Sequence, residues 1–322
     1  HESRFPFAVN MYKDYVSGAG QGIETIPGFR ERFKANGRIY GIHTYKDITG
    51  TQKVLIHSGN KLYLWDEFGT KVDNIQAKEP IFTAMNTRDS VSFIFNNRLY
   101  ILDGMNYLYY DGTEIQSVAD SAYIPTTYIN VRPSKDDGDI GMEYEQRNML
   151  SPYFKHTFIA DGETTVYKMN EENLESIVKV KCYGVELDRS AYDVDLPTGT
   201  ITFKTAPGKP EDNGYPEFEA GVEITAKKAV YDAKDVQITK DGTVTTLAAY
   251  HGLSNGETFR SMVESATIAT LFDNRVFLSG IPGKPNLVLY CSLNDPSYIG
   301  ILNYFEDGVG TTPITAMLSV AN

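Results

Sequence analysis

Apolar residues recur along the chain in short runs that turn dipeptides close, as in RLYILDG at 98–104 and NYLYYDG at 106–112. Aromatic and β-branched residues suit the half-buried surface of a strand, and Asp-Gly or Asn-Gly dipeptides suit the turns between strands. The pattern therefore predicts an all-β protein. Helical spacing is weak and is confined to 170–178 (NEENLESIV) and 255–265 (NGETFRSMVES).

The predicted strands form a unit that occurs three times. Each copy has three strands in the same order, and the copies occupy 37–66, 90–112 and 265–293. Leu62 in the first copy corresponds to Leu108 in the second, an offset of 46 residues. A weaker fourth strand follows the first two copies, at KVDNI and TEIQSV.

A four-stranded unit that repeats at about 40 to 50 residues is typical of the blades of a β-propeller. Within 98–102, Leu99 and Ile101 alternate with Tyr100 and Leu102, so neither face of this strand is polar. Such a sheet is stable when neighbouring sheets cover both faces, as radially stacked blades do. We therefore predict a β-propeller, partial or truncated, with at least three blades visible. A β-sandwich whose hairpins share turn chemistry is the alternative.

The two ends of the chain suggest that it belongs to a longer protein. Residues 313–317 (PITAM) repeat 80–85 (PIFTAM), which opens the second copy, and so predict the start of a further unit. Three units are fewer than the roughly four to eight blades of known propellers. The first residues, HESRFPFAVN, have no initiator Met and lack the features of a signal peptide.

The character of the sequence changes between the second and third copies. Residues 131–149 are polar and acidic and predict a crossing linker. In the strands that follow, Val178, Val180 and Cys182 would face one way while lysines face the other. One dry face and one wet face are typical of a small β-sandwich, and a blade loop tolerates such an insertion. The predicted segments are propeller blades at 1–147, an inserted β-sandwich at 148–235 and a truncated continuation of the propeller at 236–322.

Composition and charge exclude several classes of protein. Hydrophobic residues make up 41% of the 322 residues, which is ordinary for a folded protein. No apolar run approaches the roughly 20 residues that span a bilayer, so we predict no membrane partner. The net charge of −12 repels a phosphate backbone, so we predict no specific nucleic-acid partner.

The sequence contains no familiar catalytic or ligand-binding motif. The chain has five histidines: His1, His43, His57, His156 and His251. They lack the close spacing typical of metal ligands, and no Cys-x-x-Cys pair occurs. We expect the Gly-rich stretch at 17–22 to be a loop and the acidic stretch at 136–139 to be a solvated linker instead of a calcium site. We expect Cys182 and Cys291 to be buried reduced thiols instead of a disulfide.

A propeller can host a glycosidase when two carboxylates face each other across its central funnel. The candidates are Asp66, Asp103, Asp111 and Asp295. The first three end predicted strands, where Asp is favoured for its hydrogen bonds to the backbone. We therefore predict that they are structural and that the protein is not an enzyme. No catalytic, cofactor-binding or metal-binding residue is predicted.

The most distinctive stretch is DNRVFLSGIPGKPNLVLYCSLNDPSYI, which contains Asn294, Asp295, Pro296 and Tyr298. It accompanies GRIYGIHTY, GNKLYLWD, NNRLYILDG and an N-terminal Asn-Met-Tyr with a following Pro-Gly. Together these motifs resemble virion proteins of tailed bacteriophages, of the stabilisation or head-to-tail connection type. The inserted segment is similar to small sandwiches of phage tail and fibre proteins.

The resemblance implies a structural component of the virion, in its tail or neck region, that assembles without catalysis. The implied partners are portal, connector or tail subunits and further copies of the chain in a symmetric assembly. The resemblance carries no catalytic residue and no cofactor. A glycan-binding or glycan-hydrolysing β-propeller is the alternative.

Overall fold

A computed structural model describes most of the chain. The described residues are 11–13, 23–25, 31–35, 37–65, 79–126, 133, 146–228, 237–240, 242–246, 258–308 and 312–320. Within them the protein is all-β, as predicted, with seven antiparallel sheets. No helix in these ranges is long and apolar enough to cross a membrane.

The described chain contains 22 strands and a few short helical segments. The strands are β1 (Met11–Lys13), β2 (Ile23–Thr25), β3 (Ile39–Lys46), β4 (Gln52–Ser58), β5 (Lys61–Trp65), β6 (Val91–Phe95), β7 (Arg98–Leu102), β8 (Tyr107–Tyr110), β9 (Ile115–Ser117), β10 (Tyr153–Phe158), β11 (Val166–Lys168), β12 (Leu174–Cys182), β13 (Val185–Glu186), β14 (Tyr192–Asp195), β15 (Thr200–Phe203), β16 (Val222–Lys228), β17 (Gln237–Lys240), β18 (Thr243–Thr246), β19 (Ile268–Phe272), β20 (Arg275–Ser279), β21 (Leu287–Tyr290) and β22 (Tyr304–Glu306). The α-helices are α1 (Val118–Ser121) and α2 (Phe259–Glu264), and the 3₁₀ turns are Arg189–Ala191 and Glu211–Asn213.

Three of the sheets are formed by the three sequence repeats. Unit 1 is the sheet β3-β4-β5, unit 2 is β6-β7-β8-β9, and unit 3 is β19-β20-β21-β22. The fourth strand predicted for the second repeat is β9, whereas the one predicted at 71–75 lies outside the described residues. Unit 3 also has a fourth strand, β22, that the sequence pattern did not predict.

Units 2 and 3 share a tight hairpin turn between their first two strands. Asn96 and Asn97 connect β6 to β7 with φ of 45° and 58°, and Asp273 and Asn274 connect β19 to β20 with φ of 47° and 55°. Two consecutive left-handed residues match the twist of the paired strands. Asn and Asp adopt this conformation more readily than most residues with a side chain, which explains why NNR and DNR recur.

Unit 2 is buried on both faces. Leu99, Ile101 and Tyr110 belong to a core shared with unit 1. Tyr100 and Leu102 point the other way, into a core shared with unit 3. Each of the five side chains is at most 4% exposed. Both faces of unit 2 are therefore apolar and pack against a neighbouring sheet, as predicted.

The repeat sheets meet mainly through their first strands. Strand β6 lies against β3 of unit 1 on one side and against β19 of unit 3 on the other. Among the described strands, the second, third and fourth strands of one unit do not lie as close to the second, third and fourth strands of another unit. The first strands of units 1 and 3 are therefore the strands of those units that lie closest to β6.

Residues 80–85 do not open unit 2 as the sequence predicts, because they lie against the third strand of unit 1. The Ile81 N–H donates to the Leu62 carbonyl at 2.9 Å. In the matching segment, the Ile314 N–H donates to the Pro285 carbonyl at 2.8 Å, just before the third strand of unit 3. The similar sequences thus mark a connection that passes the third strand of a unit.

The residues between Tyr153 and Lys228 form two further sheets, β10-β16-β12-β13 and β11-β15-β14. Phe158 and Ile224 of the first sheet and Tyr167 of the second belong to one core cluster. This cluster is distinct from the two cores of the repeat units. Both sheets lie inside the segment predicted to be an insertion, and its outer boundaries stay a prediction.

A bulge interrupts the alternation predicted for β12. The register of β12 against β16 shifts between Ile177 and Lys179. Ile177 and Val180 consequently pack toward the core, whereas Val178 is 44% exposed. The predicted inward position of Val178 is wrong, because one extra residue locally reverses which side chains face the core.

One of the two predicted helices is wrong. Most of 170–178 belongs to β12, since Ile177 and Val178 are β-branched and the segment pairs with β16. The second prediction, at 255–265, corresponds to α2. Thr258 and Ser261 exchange side-chain and backbone hydrogen bonds at its N-terminus, which satisfies two otherwise unpaired N–H groups.

Replacing Ile101 by Ala tests how much the fold depends on the covered faces of unit 2. The side chain is 0% exposed in the core between units 1 and 2, so we expect the free energy of unfolding to fall by about 2 to 5 kcal/mol. Chemical denaturation measures the change. Ile94→Ala in the same sheet is the control, because Ile94 is 44% exposed and its loss should cost less than about 1 kcal/mol. Equal losses in the two variants would contradict this packing.

Candidate functional site

Asp103 holds the turn between β7 and β8. Its Oδ1 accepts the backbone N–H groups of Met105 and Asn106 at 3.0 and 2.7 Å. Its Oδ2 accepts the Asn86 backbone N–H at 2.8 Å and the Asn106 side-chain amide at 2.9 Å. The residue is 1% exposed, so the carboxylate is fully engaged within the fold.

Asp111 and Asp295 make similar short-range bonds. Asp111 Oδ1 accepts the N–H groups of Thr113 and Glu114 at 2.8 and 3.0 Å. Burial works to raise the pKa of Asp111, but these hydrogen bonds outweigh it and lower the pKa below its usual value. That direction is opposite to what a general acid requires. Asp295 Oδ1 accepts the N–H and the hydroxyl of Ser297 at 2.9 and 2.6 Å.

The two cysteines are described by the structure, whereas several of the remaining candidates are not. Cys182 ends β12, Cys291 follows β21, and both are free thiols. Burial raises the pKa of each thiol to about 11, so both stay protonated at neutral pH. Among the residues that the structure describes, no group of three or more His, Cys, Asp or Glu side chains could hold a metal ion. Asp66, 17–22 and 136–139 lie outside the described residues.

The contact between units 1 and 2 contains a cluster of polar side chains that no sequence motif indicated. His43 Nδ1 lies 2.9 Å from Ser92 Oγ, and His43 Nε2 lies 2.8 Å from Ser90 Oγ. His57 Nδ1 lies 2.9 Å from the same Ser90 Oγ, and His57 Nε2 lies 3.1 Å from the Gly59 carbonyl oxygen. We call His43, His57, Ser90 and Ser92 the histidine–serine cluster.

The Gly59 carbonyl fixes the direction of each hydrogen bond in the cluster. A carbonyl can only accept, so His57 Nε2 carries a proton, and in the neutral ring His57 Nδ1 is then an acceptor. Ser90 therefore donates its hydroxyl to His57 and accepts from His43 Nε2. The other nitrogen of His43 accepts from the Ser92 hydroxyl. Both rings are neutral in this arrangement, and each ring nitrogen has a partner.

Burial keeps both rings neutral. His43 is 3% exposed and His57 is 0% exposed. Burial, together with the neighbouring His57, lowers the pKa of His43 to about 4. Burial also lowers the pKa of His57, although the hydrogen bond to Gly59 and the charge of Asp103 oppose it. Such rings are poor general bases near neutral pH. Their protonation at low pH would instead destabilise the contact between units 1 and 2.

A glycine makes room for the histidine–serine cluster. Gly41 pairs with His57 across β3 and β4. A Cβ at this position would lie 2.3 Å from Ser90 Oγ and 2.6 Å from His43 Nε2. The histidines stand on neighbouring strands and the serines come from the next repeat. Local residue spacing therefore gives no signal of the cluster, and only the pairing of the two units brings it together.

A third buried histidine lies in the inserted segment. His156 on β10 is 0% exposed and stacks on Phe158 with 4.1 Å between ring centroids. Within the described residues, neither of its ring nitrogens has a hydrogen-bond partner. Burial lowers its pKa to about 3. The ring therefore serves as a neutral core residue.

The segment 294–298 (NDPSY) fixes unit 3 to unit 2. Asn294 is left-handed, with φ of 60°, and its carbonyl accepts the Asn96 side-chain amide at 3.1 Å. The Pro296 carbonyl accepts the Tyr107 hydroxyl at 3.3 Å. Asn96 and Tyr107 both belong to unit 2, so the loop that follows β21 spans the contact between the two units.

The same loop holds the end of the predicted linker. Asn148 is 0% exposed, and its side-chain amide donates to the carbonyls of Ser297 and Tyr123 at 2.8 and 3.1 Å. Its Oδ1 accepts the N–H groups of Leu150 and Ile299 at 3.0 and 3.2 Å. The last residues of the predicted linker are therefore not a free crossing segment but are hydrogen-bonded to unit 3.

Compared with known protein families, with curated proteins and with solved structures, the chain matches none of them. The expectation of a phage virion protein thus stays a hypothesis that rests on the motifs.

We expect the protein to lose stability as the pH falls from about 6.5 to about 4. The folded-state pKa of His43 is about 4, below the value of about 6.5 for an unfolded chain. In this window the unfolded state binds a proton that the folded state does not, so the free energy of unfolding falls, by up to about 3 kcal/mol for this residue. Urea denaturation across this pH range measures the effect.

The control for the pH experiment is His43→Gln. This variant should be less stable at neutral pH, and its stability should depend less on pH because one titrating group is gone. A free energy of unfolding that stays constant for the native sequence between neutral pH and pH about 4 would contradict the neutral, buried state of the cluster.

Replacing Asn148 by Ala should destabilise the protein by at least about 2 kcal/mol, because it leaves several buried N–H and C=O groups without partners. Thermal and chemical unfolding measure the loss. Asn213→Ala is the control, since Asn213 lies in an exposed turn, where its side-chain amide donates to the Lys209 carbonyl at 2.8 Å. A loss at Asn148 no larger than at Asn213 would show that the buried amide does not hold the loop.

Proposed function

We propose that the protein is a structural component of a tailed-bacteriophage virion, in the tail or neck region. It assembles with portal, connector or tail subunits and performs no catalysis. The observation that supports this most is the role of segment 294–298, the most distinctive part of the motif resemblance. Its carbonyl, amide and hydroxyl groups join unit 2, unit 3 and the end of the linker. These groups are therefore used within the fold and are not left free for a ligand.

The proposed architecture is a partial β-propeller with a small inserted β-sandwich. Units 1, 2 and 3 are its blades, and 148–235 is the insertion between the second and third blades. Two findings support this arrangement. Unit 2 has a neighbour on each face, and contact between units runs mainly through first strands, as is expected when blades surround an axis.

A mechanical role agrees with how the acidic residues are used. Asp103, Asp111 and Asp295 direct their oxygens at nearby backbone groups. A glycan-hydrolysing propeller, the alternative expectation, needs two carboxylates that face a substrate. No observation on the described residues favours that alternative, and we do not propose it.

The net charge of −12 also suits a virion component near the path of the genome. Like charge keeps DNA from adhering to the protein surface, because affinity for nucleic acid comes largely from Lys and Arg. The protein would then contact virion proteins and leave DNA unbound.

Deleting the gene in its phage tests the proposal. We expect particles with a missing or unstable tail or neck, seen by electron microscopy, and a loss of infectivity that the native gene restores. Antibody labelling of native virions should place the protein in the same region. Infectious particles of normal appearance that lack the protein would rule out this function.

A further inference from the structure

Strand β10 places His156 in the core between the two sheets of residues 153–228. Phe154 and Phe158 lie on the same side of the strand as the histidine and are also buried. His156 pairs with Ile224 of β16, which is 0% exposed. The Phe158 ring, on which His156 stacks, meets Tyr167 of the facing sheet edge to face, with 5.2 Å between ring centroids. The imidazole is therefore surrounded by aromatic and aliphatic side chains.

This core has no group that stabilises a protonated His156. Among the described residues, neither ring nitrogen has a hydrogen-bond partner. Burial by itself lowers the pKa of the ring to about 3, with no contribution from a neighbouring charge. The other titratable side chains of the core are neutral in acid, because burial raises the pKa values of Tyr167, Tyr192 and Cys182.

The charged residues of the same sheet lie on its other face. Lys155 Nζ lies 2.6 Å from one carboxylate oxygen of Glu223, and Lys181 Nζ lies 3.8 Å from the other. Alternation along the strands separates these groups from His156. Asp161, in the turn after β10, accepts N–H groups of its own turn. In the facing sheet the charged residues are exposed, and they are Lys168, Asp193 and Asp195.

Strand β10 also joins these two sheets to the chain that precedes them. The Ile124 N–H donates to the Tyr153 carbonyl at 2.6 Å, and the Lys155 N–H donates to the Ile124 carbonyl at 3.1 Å. The core of the two sheets is separate from the cores of the repeat units. It can therefore open without exposing them. Opening of β10 would also break its two hydrogen bonds to Ile124.

We propose that His156 makes the two sheets of residues 153–228 an acid-sensitive switch, in which protonation opens the sheets and releases β10 from Ile124 while units 2 and 3 stay packed together. A buried imidazolium without a partner is costly, so the proton binds to the open state, where the ring reaches water. The described histidines of the repeat units, His43 and His57, lie at the contact between units 1 and 2. The inference does not depend on the virion assignment.

The pH window follows from the two states of the ring. The pKa of His156 is about 3 in the folded chain and about 6.5 in an unfolded one. The open state therefore binds a proton that the closed state does not. As the pH falls through this window, the equilibrium constant for opening rises by roughly tenfold for each pH unit.

Hydrogen exchange followed by mass spectrometry tests the switch between neutral pH and pH about 4. Rates are corrected for the intrinsic pH dependence of exchange. In the native chain, the amides of β10, β12 and β16 should lose protection by roughly tenfold for each pH unit below about 6. The amides of β20 and β21 in unit 3 should keep theirs.

His156→Leu is the test variant, because leucine is of similar size, binds no proton and needs no hydrogen bond. It should remove most of the pH dependence from β10, β12 and β16. It should also raise their protection at neutral pH, since it removes buried nitrogens that have no partner. His43→Gln is the matched control, because it removes a buried histidine elsewhere and should leave the pH dependence of β10 unchanged.

Three results would overturn the proposal. The first is protection of β10 that does not change with pH in the native chain. The second is an equal pH dependence in His156→Leu. The third is loss of protection in β20 at the same pH as in β10, which would show unfolding of the whole chain.

An NMR titration of the native chain decides the question if His156→Leu does not fold. A His156 ring that stays neutral until β10 loses protection supports the switch. A ring that becomes protonated near its ordinary pKa, while β10 stays protected, would contradict it.

Discussion

A sheet with two apolar faces is not stable in water by itself, and unit 2 is such a sheet. Its strands place aliphatic and aromatic side chains on both sides, so it requires a neighbour on each. Unit 1 supplies one cover and unit 3 supplies the other. Unit 3 lies far along the chain, beyond the two sheets of residues 153–228, so the chain has to return to the place where that cover is needed.

Polar residues provide the specific joints between these apolar surfaces. The 294–298 loop and Asn148 tie unit 3 to unit 2 and to the chain that leads into the inserted sheets. The histidine–serine cluster occupies the contact between units 1 and 2 and stays neutral because it is buried. In both places the buried polar atoms are hydrogen-bonded, and these bonds fix the relative position of the sheets. Apolar packing alone would allow the sheets to slide.

The proposed function rests on which side chains are hydrogen-bonded within the fold and which are exposed. The 294–298 motif and the candidate carboxylates make hydrogen bonds within the fold. Exposed aromatic side chains, Phe272 and Phe305, lie on the face of unit 3 that points away from unit 2.

The sequence by itself determined the all-β character, the repeat units and the two apolar faces of unit 2. These features depend on the alternation of side chains along a strand and on the local conformations of turn residues, which are readable from neighbouring positions. It misjudged 170–178 as a helix, and it missed β22 and the bulge that exposes Val178. Only the tertiary structure decided these points and the meeting of His43, His57 and Ser90, because each depends on pairing between segments that are distant in the chain and leaves no local pattern.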